Sequence, residues 1–145
     1  MSERLLVRCA VGVVEVDLED ETVDLGPEAE IRPRAHVDLS LPRVVDVDAV
    51  GARVVVIVDR RPPLVVSDDA GATWRETGSG LPAGRAVALL ADHPDTIAFA
   101  SSDRLYVSRD GGIFWRRLAV ELPEIDALRW IGTNAPAERG PASPN

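Results

Sequence analysis

The feature that most constrains this chain is an eight-residue segment that occurs twice. Residues 67–74 (turn 1) read Ser-Asp-Asp-Ala-Gly-Ala-Thr-Trp, and residues 108–115 (turn 2) read Ser-Arg-Asp-Gly-Gly-Ile-Phe-Trp. The two copies start 41 residues apart, and each follows a short apolar run that ends in valine. A turn segment that repeats at about 40 residues is typical of propellers and solenoids. The sequence therefore predicts an architecture of repeated units.

Three Leu-Pro pairs give the same period independently. Their prolines, Pro42, Pro82 and Pro123, are 40 and 41 residues apart. Proline is tolerated at the entry to a strand, where its missing N–H is not needed. The valine-rich runs between the pairs favour strands over helices. Each unit is therefore predicted to hold four antiparallel strands in about 40 residues, which is the size of a propeller blade.

The strand pattern predicts an all-β chain with about three blades in residues 1–131. Blade 2 (43–78) and blade 3 (83–120) each contain four predicted strands. Residues 3–25 supply only the last three strands of a unit, and residues 124–131 supply only the first. We therefore expect blade 1 to be an N-terminal blade completed by the C-terminal strand.

Two segments lie outside these units. Pro27 and Pro33, with charged residues between them, predict a long loop over residues 26–40. Residues 132–145 are rich in Ala, Pro, Gly and Asn, and are predicted to be a disordered tail.

The octapeptide lies between the third and fourth strands of a blade, where the chain must reverse in a tight hairpin. Asp69 and Asp110 can accept hydrogen bonds from backbone N–H groups of the turn, and the hydroxyls of Ser67 and Ser108 can do the same. The carboxylates are therefore predicted to hold the turns.

The remaining positions of the octapeptide fit the same role. Gly71 and Gly112 fall where a positive φ is expected, which glycine adopts at little cost. Trp74 and Trp115 can pack between adjacent sheets. The octapeptide is thus predicted to fasten a hairpin.

This pattern resembles the Asp-box (BNR) repeat, Ser-x-Asp-x-Gly-x-Thr-Trp. Turn 1 matches every fixed position, namely Ser67, Asp69, Gly71, Thr73 and Trp74. Turn 2 matches at Ser108, Asp110, Gly112 and Trp115 and departs at Phe114. The resemblance covers residues 43–131 well and residues 3–25 only by strand pattern, since the N-terminal unit has no box.

The resemblance implies a fold more than a function. The family includes sialidases, sortilin-type sorting receptors, photosystem II assembly factors and bacterial propellers, in which the boxes are structural and lie away from the ligand face. A propeller fold therefore does not identify the activity of this chain.

A sialidase-type glycoside hydrolase is the catalytic alternative. It would require an arginine cluster, a tyrosine nucleophile with a glutamate partner and an acidic acid/base residue. Tyr106 is the only tyrosine and falls in the strand immediately before turn 2, and Ile31-Arg32-Pro33 has the residues of the family's Arg-Ile-Pro motif in another order. A six-bladed enzyme also needs about twice this length. Catalysis is disfavoured, but a hydrolase remnant and a lectin-like carbohydrate binder stay open.

A non-catalytic binding or scaffold module is the favoured interpretation. Aligning the innermost strands on the Leu-Pro pairs places Asp46, Asp48 and Arg129 at a central channel, where they could hold a small polar ligand or a cation. The simpler interpretation is that these are solvated channel residues without a ligand.

Three blades cannot close a ring around a channel, and an open arc leaves sheet faces and edges that invite association. We therefore expect a six-bladed homodimer, with each C-terminal strand completing the partner's N-terminal blade. The alternative is a partial propeller that binds another protein.

Composition narrows the partners and sites further. The net charge of −8 argues against nucleic acid or an anionic membrane. The only cysteine, Cys9, is predicted to be a buried thiol without metal-site spacing, and we expect no metal or cofactor. Because residues 1–16 lack a signal-peptide pattern and no apolar segment approaches 20 residues, the expected compartment is the cytoplasm.

Overall fold

The computed structural model describes residues 3–25 and 43–131, and this part of the chain contains twelve β-strands. They are β1 (Arg4–Cys9), β2 (Gly12–Asp17), β3 (Thr22–Leu25), β4 (Val44–Val50), β5 (Arg53–Val58), β6 (Leu64–Ser67), β7 (Arg75–Thr77), β8 (Ala86–Leu90), β9 (His93–Ala100), β10 (Arg104–Ser108), β11 (Arg116–Glu121) and β12 (Ala127–Ile131). Within these ranges, no helix is long and apolar enough to cross a membrane. The predicted loop at 26–40 and tail at 132–145 lie outside the described residues.

The strands form three four-stranded antiparallel sheets, which confirms the predicted all-β fold of propeller-type blades. Blade 1 has the strand order β12-β1-β2-β3, blade 2 has β4-β5-β6-β7, and blade 3 has β8-β9-β10-β11. In blade 1, β12 pairs with β1 of the same chain, with Leu5 opposite Trp130 and Val7 opposite Leu128. The C-terminal strand thus completes the N-terminal blade within one chain, so exchange of this strand with a partner is not needed.

Blade 3 lies between the other two blades. Its first strand, β8, contacts β4 of blade 2 and β12 of blade 1. Apolar side chains fill the space between blades 2 and 3, including Ile57 and Leu64 from one sheet and Ile97 and Phe99 from the other. A second apolar cluster joins blades 1 and 3. Each cluster uses alternate residues of its strands, because successive side chains in a strand point to opposite faces.

The two end blades differ on the faces that turn away from blade 3. In blade 2 this face carries valines of β5 and β6, which are at most 6% exposed within the chain. In blade 1 it carries Arg4 and Glu15, which form an ion pair at 2.8 Å, and Arg8, which pairs with Asp126 at 2.7 Å. β5 is therefore buried on both faces, as its continuous apolar run predicts, whereas β1 has Arg4 and Arg8 at either end of the buried run Leu5–Val7.

Candidate functional site

Turn 1 is held by its own side chains. Asp69 Oδ1 accepts hydrogen bonds from the Ser67 hydroxyl at 2.7 Å and the Thr73 N–H at 2.8 Å, and Asp69 Oδ2 accepts one from the Thr73 hydroxyl at 2.5 Å. The Ser67 hydroxyl oxygen accepts the Gly71 N–H at 2.8 Å. These bonds favour the charged carboxylate and lower the pKa of Asp69 to about 2, with the Thr73 hydroxyl as the largest cause.

Turn 2 has the same number of these bonds, but the Ile113 N–H takes the place of the Thr73 hydroxyl as a donor to the aspartate. Asp110 Oδ1 accepts from the Ser108 hydroxyl at 2.8 Å and from the N–H groups of Ile113 and Phe114 at 3.1 and 3.0 Å. Since Phe114 has no hydroxyl, Asp110 Oδ2 receives no hydrogen bond within the described part of the chain. The pKa of Asp110 is lowered, chiefly by the Phe114 N–H.

Each turn contains two successive residues with positive φ. These are Ala70 and Gly71 at 58° and 94° in turn 1, and Gly111 and Gly112 at 76° and 97° in turn 2. The sequence pattern identified the second position of each pair. It did not identify the first, because Ala70 is not a residue that usually adopts this conformation.

Turn 2 also joins blade 2 to blade 3. Arg75 Nη2 donates to the Gly111 carbonyl at 2.9 Å, and the Thr77 hydroxyl donates to the Gly112 carbonyl. The Trp115 indole N–H donates to the same Gly112 carbonyl at 2.9 Å. The backbone of turn 2 is therefore an acceptor surface for the outer strand of the neighbouring blade.

An equivalent contact joins blade 3 to blade 1. Arg116 donates to the Glu21 carboxylate at 2.9 Å and to the Leu18 carbonyl at 3.3 Å, and Arg109 pairs with Glu3 at 2.5 Å. The pKa of Glu21 is lowered, first by the Ala119 N–H and then by Arg116. Blade 1 thus contacts blade 3 through a turn that lacks the octapeptide.

Sequence reasoning did not identify these inter-blade arginines, although a signal was present. Arg75 directly follows Trp74, and Arg116 directly follows Trp115, at the same 41-residue period as the turns. In the sheets, Arg75 is paired with Val66 and Arg116 with Val107. The corresponding pair in blade 1 is Val16 with Val23. Blade 1 therefore has a valine where blades 2 and 3 have these arginines.

The proposed channel residues are engaged between blades. Asp46 Oδ2 accepts the Val87 N–H at 3.0 Å, and Asp48 Oδ2 accepts the Leu89 N–H at 2.7 Å. From the other side, the Trp130 indole N–H donates to the Ala88 carbonyl at 3.0 Å. These side chains satisfy backbone groups of β8, which has a pairing strand on one side only. Arg129 lies on β12, across β8 from both aspartates.

Tyr106, the residue that a sialidase mechanism would need, is part of the packing between blades 2 and 3. Its ring meets Phe99 edge-on, with centroids 5.9 Å apart. In residues 3–25 and 43–131, no group of three or more His, Cys, Asp or Glu side chains is arranged to hold a metal ion.

A cavity of about 250 Å³ opens beside turn 2. It is lined by Val107, Arg109, Asp110, Phe114, Trp115 and Arg116. The Phe114 residue is 77% exposed, whereas the other phenylalanine of the chain, Phe99, is fully buried. Turn 1 carries Thr73 at the position of Phe114, so the exposed ring distinguishes the two turns.

Comparison with known proteins gives little further information. No protein-family model matches the chain, and no curated protein matches it. Among solved structures, the chain is similar to a GH74 enzyme of Niastella koreensis, with 22% identity and a TM-score of 0.48. The similar part covers 84% of this chain and 18% of the enzyme, so the chain spans less than a fifth of the enzyme's length.

Proposed function

We propose that this chain is an Asp-box propeller module that binds or organises a partner and does not catalyse a reaction. The proposal rests on one observation, which is that the carboxylates of this chain accept hydrogen bonds from backbone N–H groups. Asp69 and Asp110 hold their turns, and Asp46 and Asp48 accept backbone N–H groups of the neighbouring blade. A carboxylate that holds backbone groups in this way stabilises the fold, and its displacement during a reaction would leave those groups unsatisfied.

Turnover of fluorogenic glycosides tests the catalytic alternative. We expect no hydrolysis above the uncatalysed rate, because the Tyr106 ring packs against Phe99 in the core between blades. Hydrolysis by the wild-type chain that disappears in Tyr106→Phe would contradict the proposal and support a hydrolase remnant. The conservative substitution keeps the ring contact and removes only the hydroxyl.

We further propose that two chains assemble into a six-bladed ring. Propellers close with about four to eight blades, whereas one chain supplies three. Apolar surface lies at the blade 2 end of the arc, because Val44, which pairs with Val58 on the face turned away from blade 3, is 38% exposed. At the blade 1 end, the face turned away from blade 3 carries the ion pairs of Arg4 and Arg8. In the ring, blade 1 of each chain would adjoin blade 2 of its partner, as expected for a cyclic dimer.

A charged substitution at the blade 2 end tests the ring without removing a core residue. Val44→Lys should convert the dimer to a monomer while the melting temperature changes little, because the added positive charge would meet the arginine-bearing face of the partner's blade 1. Val11→Lys is the matched control, because Val11 is 67% exposed in the turn between β1 and β2. A Val44→Lys variant that remains dimeric would contradict this placement of the contact.

Truncation tests the role of β12 separately. Removing residues 124–145 deletes the strand that pairs with β1 and the Trp130 bond to Ala88. This variant should lose blade 1 and with it the ability to assemble. Removing only residues 132–145 leaves β12 in place and should preserve the oligomeric state.

A further inference from the structure

The inference concerns turn 2, where the exchange of threonine for phenylalanine changes two things at once. In turn 1, the Thr73 hydroxyl occupies Asp69 Oδ2. In turn 2, this bond is absent, and no residue in the described part of the chain donates to Asp110 Oδ2, so this oxygen can accept a hydrogen bond from a ligand. The same substitution places an aromatic ring at the surface, with Phe114 77% exposed.

The free oxygen and the exposed ring border the same cavity. Asp110 and Phe114 both line it, and Trp115 contributes a second aromatic side chain. Two arginines, Arg109 and Arg116, complete the lining. An acceptor, two groups of donors and an aromatic surface therefore surround a single opening of about 250 Å³.

The two arginines keep donors available although each already has a partner. Arg109 uses Nη1 for Glu3, and Arg116 uses its two terminal nitrogens for Glu21 and the Leu18 carbonyl. A guanidinium carries five N–H donors in a planar arrangement, and both side chains are about half exposed, at 52% and 55%. The ion pairs fix the positions of the guanidinium groups beside the cavity.

We propose that this cavity is a binding site for a carbohydrate, with one pyranose ring stacked on Phe114. Sugar hydroxyls both donate and accept hydrogen bonds, so they can use Asp110 Oδ2 and the arginine N–H groups together. The C–H face of a pyranose meets the negative face of an aromatic ring favourably. A cationic side chain would use only the carboxylate and would be repelled by the two arginines.

The site deepens the binding role proposed above, but it does not depend on ring assembly. All the lining residues belong to blade 3, and their ion-pair partners Glu3 and Glu21 belong to blade 1 of the same chain. A monomeric chain would therefore hold the complete site.

Titration with cellotetraose, followed by the backbone amide signals of the labelled protein, tests the proposal. This β-linked glucose oligomer presents flat C–H faces, because its hydroxyls are equatorial. We expect saturable shifts centred on the amides of Ile113 and Phe114, which donate to Asp110. Maltotetraose, which has the same sugar and a curved chain, should bind more weakly.

Phe114→Thr is the decisive variant, because it removes the ring and supplies the hydroxyl that turn 1 already has. It should raise the Kd for cellotetraose at least tenfold without lowering the melting temperature. Phe114→Trp should retain binding. Ile113→Thr is the matched control, since Ile113 is 64% exposed but does not line the cavity, and it should leave the Kd unchanged.

Three results would overturn the proposal. They are the absence of saturable shifts, equal loss of binding in the Phe114→Thr and Ile113→Thr variants, and preferential binding of N-acetylarginine amide, which would indicate a cationic peptide as the ligand. The native mass separates this site from the ring. Phe114-dependent binding by a monomer would refute only the ring, and a dimer that does not bind cellotetraose would refute only the site.

Discussion

Turns 1 and 2 share one internal geometry and differ in what surrounds them. In both, a serine hydroxyl and an aspartate carboxylate hold the backbone, and two successive residues have positive φ. Turn 1 lies in an end blade, and the Thr73 hydroxyl bonds its aspartate. Turn 2 lies in the central blade, accepts Arg75 from blade 2 and exposes Phe114. The difference shows that the octapeptide specifies a hairpin, whereas its position in the arc determines what else the hairpin contacts.

The largest expected effect comes from the two serines. Ser67→Ala removes the acceptor of the part-buried Gly71 N–H, and Ser108→Ala removes the acceptor of the buried Gly112 N–H. Each loss should cost about 1–3 kcal/mol of unfolding free energy. Ser108→Ala should cost more, because turn 2 also receives Arg75 and Thr77 from blade 2. Chemical denaturation of both variants measures the difference. Equal losses of unfolding free energy in the two variants would indicate that the hydrogen bonds from Arg75 and Thr77 to turn 2 do not add to stability.

A reciprocal exchange at the threonine position sharpens the comparison. Thr73→Phe should lower the melting temperature by a few degrees, because Asp69 loses a hydrogen bond and an apolar ring is exposed. Phe114→Thr should raise it by a similar amount. Differential scanning calorimetry measures both, and a Phe114→Thr variant that melts lower would show that the phenylalanine supports the fold.

A smaller effect is expected at the first positive-φ position. Ala70→Gly makes turn 1 like turn 2 and should stabilise the chain by about 0.5–1 kcal/mol, because glycine adopts a φ of 58° without strain. Chemical denaturation of this variant checks the gain. If the variant is less stable, the conformational entropy that glycine adds to the unfolded chain outweighs the strain of Ala70 at positive φ.

Acidification should give the smallest effect. The folded-state pKa of Asp69 is lowered from 3.8 to about 2, so its contribution is fully present above about pH 4 and is lost as the pH falls towards 2. Solvent screening limits its size, because the carboxylate is exposed. Thr73→Val removes the largest cause of the shift and should flatten the pH dependence of stability in this window. An unchanged pH dependence of stability in Thr73→Val would contradict the assignment of the lowered Asp69 pKa to the Thr73 hydroxyl.

The sequence predicted the blades because their determinants are local and periodic. The Leu-Pro pairs, the valine runs and the octapeptides lie in consecutive residues at a fixed spacing. Counting strands also predicts that the C-terminal strand completes an N-terminal blade, but the sequence assigned that blade to a partner, whereas β12 pairs with β1 of the same chain. The contacts between blades were not predicted, because they join residues without a common local pattern. The Asp46 carboxylate of blade 2 accepts a hydrogen bond from the Val87 N–H of blade 3. The Glu21 carboxylate of blade 1 accepts one from Arg116 of blade 3, which is 95 residues away in the sequence. The exposure of Phe114 was missed for the same reason, since burial depends on the neighbouring blade.

The native mass in solution tests the central proposal most directly. Light scattering of the intact chain should give twice the chain mass of 15.6 kDa, and the Val44→Lys variant should give the chain mass itself. A wild-type chain that remains at 15.6 kDa across the accessible concentration range would contradict the six-bladed ring and leave an open three-bladed arc as the functional form.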